Sequence, residues 1–353
     1  MEALQLRAGF RALAQIRKHG LSPDLVRVVS GASGGPKWLI LSEFDRHFFG
    51  DWLARARQPI TLIGSSIGAW RMMLHAQPDP VAALDRFLHS YVHEQRYSRR
   101  PTPREISGEI RRLLDVGLGD GGARAVVSNA ARPLQIITNR IAGNGHHGQV
   151  GVFLRMLAAA GANLRNRQAL GRWMIRSLFE TPSARASLPD PADFPTERHE
   201  LHANNLREVL SASGSIPGWM EPVRDIAGAP PGTYLDGGIS DYHPAFSHET
   251  GEGIVAMPHF YGHLIPGWLD KRLRARHNRL PGLENTLVIA PSKALVADLP
   301  HGKIPDRHDF IRFKDQARID YWEKVRQASR RMGEEFMELV ETNRLLDRIQ
   351  SFD

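Results

Sequence analysis

The stretch Ile60-Thr61-Leu62-Ile63-Gly64-Ser65-Ser66-Ile67-Gly68-Ala69-Trp70-Arg71-Met72-Met73-Leu74-His75 runs from a strand-like apolar segment through a small-residue turn into an apolar helical run. Ile60, Thr61 and Ile63 are β-branched and favour a pleated strand, while residues 69–75 contain no β-branched side chain, glycine or proline. A short apolar strand feeding a helix through a glycine turn is the unit of a parallel sheet. The same unit occurs upstream. Leu25-Val26-Arg27-Val28-Val29 leads into Gly31-Ala32-Ser33-Gly34-Gly35, and residues 38–48 read as the helix that follows. Two such units in succession predict an α/β fold of three layers, α/β/α, with a mostly parallel central sheet and functional turns at the carboxyl ends of its strands.

Residues 134–138, 253–257 and 286–289 are further strand candidates, and residues 80–93 and 103–114 read as helices. Residues 183–199 hold three prolines and few apolar side chains, so they predict a surface loop, as do residues 228–232. The first twenty residues have no signal-type apolar run and predict an amphipathic helix with Leu6, Phe10, Leu13 and Ile16 close to one face. From about residue 315 to 349 the chain reads as one long charged helix, or two, with Trp322, Val325, Met332, Phe336 and Leu339 among its apolar residues. There is no internal repeat or low-complexity segment. The expectation is one domain over residues 1–353 with a helical C-terminal extension from about 315.

The 353 residues include no cysteine, which removes disulfides, thiolate metal sites and cysteine nucleophiles from consideration. No apolar run approaches the ~20 residues of a membrane span. The net charge is +8, with basic residues concentrated at 96–104 and 271–279. Neither segment carries a helix-turn-helix, zinc-finger or aromatic RNA-binding signature, so nucleic acid is not expected as a partner. Solvated helix faces account for most such charge, and a basic surface also suits anionic phospholipid headgroups. These features predict a cytoplasmic protein whose contact with an anionic membrane is at most peripheral.

Gly64-Ser65-Ser66-Ile67-Gly68 is a G-x-S-x-G at a strand-to-helix turn, which exposes a serine hydroxyl above the sheet edge. The amide after the serine, that of Ile67, then points at a substrate oxygen, and the helix dipole favours developing negative charge. Gly31-Ala32-Ser33-Gly34-Gly35 matches the same pattern in the same context. Its adjacent glycines, followed by Pro36 and Lys37, suit a loop that presents backbone amides to an anion, and an oxyanion loop precedes the nucleophile in α/β-hydrolases. Ser66 as nucleophile with Gly34 and Gly35 as oxyanion loop is the economical assignment. A phosphate-binding P-loop would need glycine at position 36 and Ser or Thr at 38, where the chain has Pro36 and Trp38. A base must accompany the serine, and Asp236 in Tyr234-Leu235-Asp236-Gly237-Gly238 is the candidate, although an isolated Asp-Gly-Gly is usually a plain turn.

In order along the chain, Gly34-Gly35-x-Lys37, Gly64-x-Ser66-x-Gly68, Ala212-Ser213-x-x-x-Pro217 and Asp236-Gly237-Gly238 resemble the four sequence blocks of patatin-like phospholipases. The blocks reach to about two-thirds of the chain. The resemblance implies a Ser66–Asp236 dyad without histidine, an oxyanion held near Gly34 and Gly35, and Lys37 where the family has Arg or Lys. It also implies hydrolysis of acyl lipids, phospholipid or neutral, with no cofactor or metal. The first block departs from the family's usual Asp-Gly-Gly-Gly-x-Arg-Gly, reading Ala32-Ser33-Gly34-Gly35-Pro36-Lys37-Trp38. Trp38, Trp70, Met72 and Met73 are candidates for lining an acyl site, though side chains on such a helix are more often core.

Histidines 243, 248, 259, 263, 277, 301 and 308 all follow Asp236, in the order of an α/β-hydrolase triad, which makes a triad esterase the first alternative. A non-catalytic lipid- or protein-binding relative is the second. His146-His147 and the pair His259 and His263 lack the carboxylate pattern of a metal motif, and no metal is expected.

Overall fold

Neighbouring residues of a strand face opposite ways, and here both sets are apolar and buried. Val29, Leu62, Ile136 and Ala256 join the largest apolar cluster, while Val28, Ile63, Ile137 and Val255 join a second one. A sheet covered on both faces follows from that pattern. The computed structural model of the chain describes residues 2–143, 145–189, 191 and 193–352. It has the expected α/β architecture, a large and mostly parallel central sheet flanked by helices.

The amino-terminal third comprises β1 (Leu4–Ala8), α1 (Phe10–His19), β2 (Val26–Gly31), α2 (Ser42–Asp45), β3 (Thr61–Ser65), α3 (Ile67–His75), α4 (Pro80–His89) and α5 (Pro103–Leu118). The middle contributes α6 (Gly122–Ser128), β4 (Leu134–Ile141), α7 (Gln149–Arg165), β5 (Met174–Glu180), β6 (Thr196–Glu200), α8 (Leu206–Ser213), β7 (Val223–Arg224) and β8 (Thr233–Asp236). The remainder holds β9 (Ile254–Pro258), β10 (Thr286–Pro291), α9 (Lys293–Asp298), α10 (Asp309–Arg312), α11 (Asp315–Glu341) and β11 (Ile349–Ser351). Strands lie in the order β11-β1-β10-β9-β2-β3-β4-β5-β6, and from β10 to β4 they run parallel.

One departure from this order positions the site. On one side β4 pairs with β5 over nearly its whole length. On the other side β3 pairs only with residues Leu134, Gln135, Ile136 and Ile137, and β8 then pairs antiparallel with Thr138, Asn139 and Arg140. The carboxyl end of β3 and the carboxyl end of β8 therefore meet nearly in line. Ser65 lies opposite Ile137 and Asp236 opposite Thr138, neighbouring residues on β4.

Two expectations from sequence change, and a third is resolved between its alternatives. The amino terminus is a strand before it is a helix: Leu4–Ala8 alternates buried and half-buried residues and pairs with β10 and β11. Leu6 thus belongs to the sheet, and Phe10, at the start of α1, is 66% exposed. Residues 183–199 are not one loop, because Thr196–Glu200 pairs as β6 at the sheet edge, where one flank stays open to water and polar residues are tolerated; Asp190 and Ala192 lie outside the described residues. Among the described residues from 315 onward the long helix is a single one, α11, and after a short 3-10 turn at Leu345–Arg348 the chain returns to the sheet as β11. Helix α11 buries Trp322, Val325, Met332 and Phe336 in the largest cluster, with Phe336 against Phe44, Phe48 and Trp52. No helix among the described residues is long and apolar enough to cross a membrane.

Helix α3 crosses the end of β2 so closely that a Cβ on Gly68 would lie 2.1 Å from the Gly31 carbonyl oxygen. Gly68→Ala should therefore lose about 2–4 kcal/mol of unfolding free energy in a urea titration. Gly108→Ala, in open space on α5, should instead gain roughly 0.5–1 kcal/mol. Equal effects at the two sites would contradict the close approach.

Candidate active site

Strand β3 ends at Ser65, and Ser66 then takes φ 54° and ψ −132° before α3 begins at Ile67. A non-glycine residue in this region stores about 1–3 kcal/mol of strain, so the surroundings must hold it there. They do so through Ser213, at the end of α8. The Ser66 amide donates to Ser213 Oγ at 2.8 Å, and that hydroxyl donates onward to the Ile137 carbonyl at 2.7 Å.

The Ser66 hydroxyl donates to Asp236 Oδ2 at 2.7 Å, across a sequence separation of 170 residues. Asp236 Oδ1 accepts the Gly238 amide at 2.6 Å, and the Asp236 amide donates to the Ser215 carbonyl at 3.0 Å. Asn139 Nδ2 donates to the carbonyl of Asp236 at 2.8 Å and to that of Gly237 at 3.2 Å. Both members of the pair are thus tied to β4 and to residues 213–215. Ser66 and Asp236 are 8% and 7% exposed. Burial raises the Asp236 pKa to about 6, against the opposing hydrogen bonds of Ser66 and Gly238 and the charges of Lys271 and Arg307.

The two G-x-S-x-G turns are now distinguishable. Ser33 Oγ lies 2.8 Å from Ser65 Oγ and donates to the Ser65 carbonyl at 3.2 Å, while Ser65 Oγ donates to the Asp241 carbonyl. Ser33 is a buried tie between loops, with no carboxylate or imidazole on it among the described residues. It places the Gly34–Gly35 segment beside the Ser66 turn. The amides of Gly34, Gly35 and Ile67 have no acceptor among the described residues, the state that an oxyanion site requires. Gly35 has φ 56° and nothing within contact of its Cβ position, so its backbone is open to a ligand.

Lys271 and Arg307 act on Asp236, and Lys37 lies close enough to Lys271 to repel it; none of the three is in an ion pair among the described residues. The Lys271 ammonium lies 4.1 Å from the Tyr242 ring centroid and 5.7 Å from that of Trp268. Lys37 lies 6.0 Å from the Phe260 ring and Arg307 5.3 Å from Trp219. Although much of the Lys271 residue reaches solvent, desolvation of its ammonium, with repulsion from Lys37 and Arg307, lowers its pKa to about 7. Desolvation likewise lowers that of Lys37. Beneath them Asp241 accepts Arg176 Nε at 2.7 Å and Nη2 at 2.8 Å, and its backbone carbonyl holds Ser65. Sequence reading missed Ser213 as an anchor, together with Asn139, Asp241, Arg176, Lys271 and Arg307. Asp-Gly-Gly-x-x-Asp is a weak signal for Asp241, the Ala212-Ser213 block includes Ser213 without giving its role, and Lys271 lies in a basic run that reads as solvated charge.

Among the described residues no histidine hydrogen-bonds to Ser66 or Asp236. His243 Nδ1 accepts the Ile265 amide and His259 Nδ1 the Tyr261 amide, and burial holds His259 at about 3 and His243 well below its ordinary pKa. His146 pairs with Asp225 at 2.6 Å. No group of three His, Asp or Glu side chains converges as ligands among the described residues. Trp38, Trp70, Met72 and Met73 are at most 4% exposed and pack within the main core. A cleft of about 850 Å³ lies near the far end of α3, against Phe49, His75, Gln77 and Arg132, and Ser66 is not in its wall. Comparison of the chain with protein-family models, with curated proteins and with solved structures found no match.

The raised pKa of Asp236 carries a stability consequence of definite sign. Ionised Asp236 is penalised in the fold, so the penalty is absent below the ordinary value of 3.8 and complete above about 6. Asp236→Asn keeps the shape and the Gly238 contact. It should gain about 1–3 kcal/mol of unfolding free energy at neutral pH, with the gain vanishing in acid. Chemical denaturation at both pH values checks this, and a loss at neutral pH would contradict it.

Proposed function

We propose that the chain is a serine acyl hydrolase that cleaves ester bonds of acyl lipids through Ser66 and Asp236. The observation that carries the reading is the 2.7 Å hydrogen bond from a serine on a strained strand-to-helix turn to a buried carboxylate. The unengaged amides of Gly34, Gly35 and Ile67 beside it support the same reading, as does the resemblance of the four sequence blocks to patatin-like phospholipases.

In the proposed reaction Ser66 Oγ attacks the ester carbonyl as its proton passes to Asp236. The carbonyl oxygen becomes an oxyanion held by the amides of the Gly34–Gly35 loop and of Ile67. Collapse breaks the ester C–O bond, and the alcohol or lysolipid leaves with the proton from Asp236. Water then loses a proton to Asp236 as it attacks the acyl-serine, and collapse breaks the acyl C–Oγ bond, with Asp236 returning the proton to Ser66 Oγ as the carboxylic acid is released. A carboxylate with pKa near 6 suits both the acceptance and the return of a proton at neutral pH. Lys37, Lys271 and Arg307 favour the phospholipid arm of the reading, since an anionic headgroup would find cations not already paired with carboxylates.

A fluorophosphonate probe is expected to label the wild type and Ser33→Ala but not Ser66→Ala. Labelling retained in Ser66→Ala, or no labelling of the wild type, would sink the reading and favour a binding protein. Turnover of a soluble p-nitrophenyl ester should rise with pH through about 6, because only ionised Asp236 can accept the proton. An activity that falls over that interval contradicts the assigned base.

Lys271→Gln should raise KM for an anionic phospholipid roughly three- to tenfold, with a smaller effect on a neutral ester. Equal effects on the two substrates would remove the headgroup role.

A further inference from the structure

Helix α7 has two apolar faces and only one of them is covered. Val152, Met156, Ala159 and Asn163 recur at helical spacing and are buried against the domain. The opposite stripe, Val150, Phe153, Leu154, Leu157 and Leu164, is 55–74% exposed. A helix at a water-facing surface ordinarily carries charge there. Residues 149–165 include no acidic residue, and their only charges are Arg155 and Arg165.

Two exposed tryptophans flank this helix. Gln149 Nε2 donates to the Met220 carbonyl, which sets Trp219 beside the amino-terminal end of α7. Asn163 Nδ2 donates to Asp270, and Arg276 reaches the Leu164 carbonyl, which sets Trp268 and its neighbours beside the carboxyl-terminal end. Trp219 and Trp268 are the rings that carry Arg307 and Lys271 at the mouth of the Ser66–Asp236 site. The adjoining segment adds Arg272, Arg274 and Arg279, none in an ion pair among the described residues. The segment's one acid, Asp270, is buried and held by Arg276 and Asn163.

We propose that the outer face of α7, with Trp219 and Trp268 and the cations of residues 271–279, docks the protein on an anionic lipid surface with the Ser66 site turned towards the lipid. Apolar side chains enter the acyl boundary, the amphipathic tryptophans sit at headgroup level, and the cations pair with anionic headgroups. Charge complementarity selects this occupant over a second copy of the chain. A two-fold self-contact would set these unpaired cations largely against each other, since the only acid within α7 and residues 268–279 is the buried, paired Asp270 and the exposed Glu221 beside Trp219 is a single opposing charge. Docking is a binding property that flotation tests by itself, while the orientation of the Ser66 site towards the lipid rests on the acyl-hydrolase reading, which the fluorophosphonate probe tests separately.

The test is flotation of the full chain with phosphatidylglycerol-containing vesicles and with pure phosphatidylcholine vesicles. The wild type should bind the anionic vesicles more tightly, and added salt should weaken that binding. Leu154→Glu/Leu157→Glu should weaken it at least about tenfold. Arg272→Gln/Arg274→Gln should reduce the preference for anionic over neutral vesicles. Both variants, changed only at exposed positions, should keep wild-type thermal stability and fluorophosphonate labelling of Ser66. Absence of wild-type flotation overturns the proposal, as does binding unchanged by the two glutamates. A wild-type dimer in light scattering that Leu154→Glu/Leu157→Glu converts to monomer would also overturn it, because the face would then be a self-interface.

Discussion

Strand β4 has eight residues where its neighbour β3 has five, and the surplus is filled from the opposite direction by β8. This double pairing is the constraint on which the site depends. Two strands that share one flank of a third cannot overlap, so their ends must turn away from each other. On the β3 side the chain turns at Ser66, with positive φ, into α3. On the β8 side it turns at Gly237, where a Cβ would lie 2.1 Å from the Ile137 carbonyl oxygen. The hydroxyl of one turn and the carboxylate of the other are thereby brought to hydrogen-bond distance by backbone register, before any side-chain packing is considered.

The same geometry explains the electrostatics. Both turns lie above a sheet buried on its two faces, so the Asp236 carboxylate is held away from water and its proton affinity rises. The neighbouring carboxylate, Asp241, is taken up by Arg176 and leaves Asp236 free to face the serine. Lys37, Lys271 and Arg307 stand off on aromatic rings, with no ion pair among the described residues. Positive charge, complete on Arg307 and partial on Lys271 at neutral pH, therefore lies near the Ser66–Asp236 pair without an ion pair to Asp236 among the described residues.

Much of the sheet was legible in the sequence because its central strands are continuous apolar runs bounded by glycine turns. Ser66 was legible for a related reason, since Gly64 and Gly68 are demanded by close backbone approaches that leave a visible pattern. Asp236 was readable only as a weak Asp-Gly-Gly, because the interaction that gives it meaning spans 170 residues and is set by β4 register. Strand β6 was lost in a polar, proline-rich stretch, and β1 in a segment too short for its period of two to stand out from the helix that follows. Helix α7 was missed for the opposite reason: apolar residues on two faces blur the periodicity that identifies a helix. The cations of residues 271–279 read as a solvated charge run, and only packing reveals that Lys271 shares the site.

The central claim is that Ser66 and Asp236 act as one chemical unit. A double-mutant cycle on kcat/KM for a soluble ester measures this most directly, with Ser66→Ala, Asp236→Asn and the combined variant compared under identical conditions. If the two act together, each single variant loses about 10³-fold or more and the double variant loses no more than the worse single one. Losses that multiply in the double variant, or turnover retained in Asp236→Asn, would contradict the account.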